Sequence, residues 1–133
     1  MKITITNYEI EHFINMLANP ESFRNNVAVK LSDDMDWAVR VNLRAMNARY
    51  DILNEARQEI GKEFIDAGKV ENDQVKEEFR SEYNSRLIRL MMQKNELDFM
   101  PIKRADFKGL SLSMPEKDFL MLMVDEDAEK AVD

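Results

Sequence analysis

The chain reads as mainly α-helical with a small β-hairpin: an antiparallel pair of long helices with short helices at the N- and C-terminal ends. Two apolar stripes carry that reading. Val39, Leu43, Met46, Tyr50, Leu53, Ala56, Ile60 and Phe64 recur in steps of three or four, as do Val75, Phe79, Tyr83, Leu87 and Leu90, with Met91 beside the last. Such spacing places each set on one side of a helix. Ala67-Gly68-Lys69 separates them, with Gly68 suited to the left-handed conformation that ends helices. The two helices should therefore double back on each other.

Composition fits a folded domain. Of 133 residues 44% are hydrophobic and 34% charged, with three Gly and three Pro, too apolar and too poor in breakers for a disordered chain. This length accommodates one core. We expect a single helical domain over 1–124 and an acidic tail over 125–133 that frays.

A first helix is expected at about 7–18, where Thr6 or Asn7 offers a cap, Ile10, Phe13, Ile14 and Leu17 repeat at helical spacing, and Asn19-Pro20 terminates. The next helical pattern runs from about 24 to 66. Unbroken, it would be roughly 65 Å long at about 1.5 Å per residue, wider than a globule of this size. It must overhang, break or dimerise, and Ser32-Asp33-Asp34, which can recap the backbone, is the place for a break. Asn72-Asp73 caps the following helix. From Asn95 the period shortens, so a hairpin of 96–103 against 108–112 is expected around a turn at Asp106 to Gly109. Ser113-Met114-Pro115-Glu116 has capping-box spacing and opens a last helix with Phe119, Leu120, Met123 and Val124 inward.

Charge and composition exclude several functions. The net charge of −7 disfavours free nucleic acid and anionic membranes and favours a partner with a basic surface. No apolar run approaches the roughly 18 residues of a membrane span. With no cysteine, thiolate metal ligands, disulfides and cysteine nucleophiles are excluded, and a cytoplasmic setting is expected. His12 is the sole histidine, so a two-histidine metal site cannot form. No Gly-rich phosphate loop or serine elbow occurs. A non-enzymatic binding protein without metal or cofactor is expected.

Three groups are candidates for binding. Asp33, Asp34 and Asp36 either form a solvated helix start or meet a basic protein; the spacing lacks the glycine and later glutamate of a calcium loop. Arg40 and Arg44 would face Arg86 and Arg89 if the helices pair antiparallel, giving guanidinium forks for phosphate with Tyr50, Tyr83, Phe99 or Phe107 to stack a base; the plainer reading is exposed pairs with neighbouring glutamates. Phe119, Leu120, Met121, Leu122 and Met123 run apolar all round a helix, which leaves one face for a second subunit and suggests a homo-oligomer. The six methionines Met91, Met92, Met100, Met114, Met121 and Met123 suit either a core or an adaptable groove.

A short lead helix, a long helix ending in Phe64-Ile65-Asp66-Ala67-Gly68, a helix from Val75 to Asn95, the segment Glu96-Leu97-Asp98-Phe99, and Leu110-Ser111-Leu112-Ser113 before the last helix follow in order. This layout resembles small proteins of unknown function from phages and prophages of Gram-positive bacteria. The resemblance covers most of the chain as pattern and carries over no functional residue. It implies an accessory phage protein, and by association an inhibitor of a bacterial defence effector. A sponge for a cyclic nucleotide signal and a virion structural or assembly protein are the alternatives.

Overall fold

The computed structural model describes residues 1–17, 31–107, 109–110 and 112–128. Its axis is α2 (Asp33–Asp66), which follows strand β1 (Lys2–Thr6) and helix α1 (Asn7–Leu17). The hairpin β2 (Val70–Glu71) and β3 (Gln74–Val75) comes next, then a 3₁₀ turn (Glu77–Phe79), α3 (Arg80–Met91), β4 (Lys94–Asp98), a second 3₁₀ turn (Arg104–Phe107) and α4 (Met114–Met121). The fold is mainly α with small antiparallel β elements, as expected.

The helix boundaries follow local chemistry. Ser32 is the N-cap of α2, its hydroxyl accepting the Met35 N–H at 3.4 Å, so a helix starts afresh there. Residues 24–30 of the expected longer helix lie outside those described. At the other end Lys69 N–H donates to Phe64 O and Gly68 N–H to Ile65 O, with Gly68 at φ 73°. This 6→1 and 5→2 pair is the Schellman arrangement that Gly68 permits. At α4 the capping box is complete: Ser113 accepts from Glu116 N–H, and Glu116 accepts from Ser113 N–H at 2.9 Å.

Two expected connections are corrected. Among the described residues, 96–103 do not pair with 108–112; β4 pairs antiparallel with β1, with Ile3 opposite Leu97 and Ile5 opposite Asn95. The strand stops because the buried Asn42 side chain occupies Met100, donating to its carbonyl at 2.9 Å and accepting its N–H at 2.7 Å, and Pro101 has no N–H to continue a ladder. Ile102 instead makes a lone parallel bridge to Val124. Asn72 and Asp73 do not cap a helix either. They form the two-residue turn of β2–β3, both at positive φ (52° and 61°), as a type I′ hairpin turn requires.

The core lies where the chain ends converge. Ile5, Ile10, Phe13, Met35, Val39, Met46, Leu97, Phe99, Phe119, Leu120 and Met123 form one buried cluster. Phe13 and Phe119 meet with ring centroids 5.5 Å apart. Asn7 ties α1 to this closure: its amide donates to Leu90 O at 2.7 Å and accepts from the Asn95 amide at 2.8 Å. Farther along α2, Leu53, Ile60 and Phe64 are buried, while α3 buries no residue fully. There Phe64 meets Tyr83 edge to face, and Lys69 lies over both Phe64 and Phe79 at 5.1 Å. Of the acidic tail, residues 125–128 are held: Asp125 accepts the Ala128 N–H and Glu126 pairs with Arg104. The rest of the tail is outside the described residues.

Candidate functional site

A wide groove opens between the 101–112 segment and α4. Pro101 ends β4, the 3₁₀ turn carries the next residues round, and the Ser113 capping box starts α4 so that its N-terminal turns form the opposite wall. Ile102, Phe107, Leu110, Leu112, Met114 and Met121 line it, with Lys103, Lys117, Asp118 and Asp125 around them. Ile102 and Phe107 belong to the buried core, so the floor is fixed; Met114 is 69% exposed and adaptable. The groove measures about 1240 Å³. Small-molecule pockets are typically about 300–1,000 Å³ and enclose their ligand, so an open trough of this size suits a protein segment better.

A second depression, of about 650 Å³, lies beside the β2–β3 hairpin. Glu71, Lys76, Glu77, Glu78 and Arg80 line it with Val75 as the main apolar member, and it has no comparable floor.

Asp33, Asp34 and Asp36 occupy the first turn of α2, where carboxylates offset the positive end of the helix dipole. Asp33 and Asp34 are exposed, and Asp36 accepts a 2.7 Å bond from Arg40 Nε. That bond and the Asp36 charge raise the Arg40 pKa above its usual value, so the guanidinium stays charged. The local arrangement accounts for the acids as a helix start, and Asp33 and Asp34 remain open to a partner. Among the described residues no group of three or more His, Asp or Glu is placed to hold a metal ion.

The arginines do not converge. Arg86 pairs with Glu63 at 3.0 Å, and Glu63 lies roughly 28 Å beyond Arg44 along α2 at about 1.5 Å per residue. Arg40 and Arg44 thus sit at one end of α2 and Arg86 and Arg89 near the other, because α3 is short and packs only against the C-terminal part. Tyr83 is engaged with Phe64, and Phe99 and Phe107 are buried in the core. The expected cationic, aromatic pocket within one chain is not formed. His12 is exposed with its ring edge-on to Phe13.

The expected oligomer face is also corrected. Phe119, Leu120 and Met123 are each 0% exposed and Val124 is buried, while Met121 and Leu122 are half-buried. This chain covers most of the apolar run itself: α1 packs on one side, and the Ile102–Val124 bridge closes another. Of the set, Met121 contributes to a surface, as part of the groove wall. Of the six methionines suited to a core or an adaptable groove, Met114 and Met121 line this groove, and the Leu110/Leu112 pair before the capping box is its further sequence signal.

Comparisons with protein-family models, with curated proteins and with solved structures return no match. The fold and the site geometry therefore carry the functional reading.

Proposed function

We propose that this chain is a binding protein that takes a segment of a partner protein into the groove between residues 101–112 and α4, and that it serves as a phage-encoded inhibitor of a bacterial defence effector. The observation that carries the binding reading is the groove: an apolar floor fixed by core residues, a methionine wall and polar groups at the margin, the combination that accepts side chains of another protein. The net charge of −7 favours approach of a partner with a basic surface, and exposed Asp33 and Asp34 add to that field. The defence setting rests on the resemblance to small phage proteins.

The test is phage plating on Gram-positive hosts that carry defined defence systems, with the wild-type chain or its Leu112→Asp/Met114→Asp variant expressed. Met114 is largely exposed and Leu112 half-buried against the core, so a cooperative melt of the variant is the control that its fold is retained. The wild-type chain is expected to restore plating against at least one system and the variant to fail. If no system is relieved, the inhibitor reading is lost; a fully active variant would remove the groove from the mechanism.

A further inference from the structure

We propose that the outer face of α2 pairs with the same face of a second copy of this chain, the two helices antiparallel. The buried residues of α2 (Met35, Ala38, Val39, Asn42, Met46, Leu53, Ile60 and Phe64) define its inner face. Trp37, Val41, Ala45, Ala48 and Ile52 recur at steps of four, four, three and four on another face, turned about 120° from the first at ~100° per residue. Trp37 is 61% exposed and Ile52 55% exposed. Val41 and Ala45 are half-buried and Ala48 is exposed, so the stripe is continuous with small residues at its middle. It extends roughly 22 Å at about 1.5 Å per residue. Alanines at the centre let two helices approach closely.

The charges beside this stripe select the occupant. Arg40, Arg44, Asp51 and Glu55 are all exposed and fall within about 60° of one another on one flank, at ~100° per residue. Two cations are thus followed by two anions. When two such helices meet antiparallel about a two-fold axis, this flank faces itself reversed: Arg40 meets Glu55 of the second copy, Arg44 meets Asp51, and both pairs repeat by symmetry. With the two-fold between Met46 and Asn47, Val41 stands level with Ile52 and Ala45 with Ala48, and each charged pair is offset from level by about 3 Å at ~1.5 Å per residue, within reach of an arginine side chain. A parallel pair would set each charge against its like. Within one chain Arg44 and Asp51 are about 10 Å apart along the helix at ~1.5 Å per residue, too far to pair. Among the described residues neither Arg44, Asp51 nor Glu55 forms an ion pair. The flank is complementary to itself, and this surface is independent of the groove.

Trp37 is the sole tryptophan, so its emission reports the interface directly. Light scattering on the full chain should give twice 15.6 kDa, and dilution should shift Trp37 emission to the red as the dimer parts. Ile52→Lys should yield a folded monomer whose melting temperature no longer rises with protein concentration, as that of the wild-type dimer should. Arg44→Asp should weaken the dimer by roughly tenfold, through like charges set against each other at both ends of the two-fold, and adding Asp51→Arg should restore it. The proposal is overturned by a chain that stays monomeric at every concentration, by a dimer that ignores Ile52→Lys, or by a charge swap that fails to rescue. A blue shift of Trp37 only on binding a different protein would overturn it equally, by assigning the face to another occupant.

Discussion

The two ends of α2 are held by different means. Its first half is enclosed by elements remote in sequence: β1 and β4 are paired across about ninety positions, and α4 with the turn after it places Phe119, Leu120 and Met123 in one core with α1 and the strands. Its second half is covered mainly by its immediate successors, the β2–β3 hairpin and α3, with α1 reaching it at the Glu11–Arg57 ion pair, and α3 buries nothing fully. Closure over long sequence distance makes the first end cooperative. Local packing lets the second end open alone, at a lower free energy.

The largest expected effect is at the closed end. Phe119→Ala should lower global stability by about 3–5 kcal/mol in urea unfolding, because the ring is fully buried against Phe13. An equal loss from truncating exposed Ile88 would break the comparison, since that side chain is 62% exposed on α3. Next comes Asn42→Ala, which strips the partners from the Met100 amide and carbonyl; a loss of about 2–3 kcal/mol is expected by the same measurement. Ser113→Ala removes the N-cap of α4 and should cost about 1 kcal/mol. Gly68→Ala forces a side chain into φ 73° at the open end and should cost about 1 kcal/mol, with the change in exchange rates confined to 60–90.

The same contrast explains what could be read in the sequence. Features fixed by neighbouring residues were legible: the α1 stripe, the Ser32 helix start, Gly68 as helix end and the Ser113–Glu116 box. Features fixed by remote partners were not. Ile3 and Ile5 alternate with Lys2, Thr4 and Thr6 as a half-buried strand should, but the partner strand follows residue 93, and nothing local names it. Likewise Asn42 looks like one polar residue in a helix, and its hold on Met100 exists only once the chain is folded. Asn72-Asp73 was misassigned because the same residue types favour caps and type I′ turns. For the site, Arg40 and Arg44 could meet Arg86 and Arg89 only if α3 ran the length of α2, and the groove depends on the turn after Pro101, which no local pattern signals.

Hydrogen exchange of the purified chain, followed peptide by peptide, tests most directly that a cooperative end anchors a separately opening one. Amides of β1, β4 and α4 should exchange last and together, at the rate of global unfolding, with those of residues 69–91 exchanging earlier. Uniform protection of both ends, or earlier loss at β1 and β4, would contradict the account.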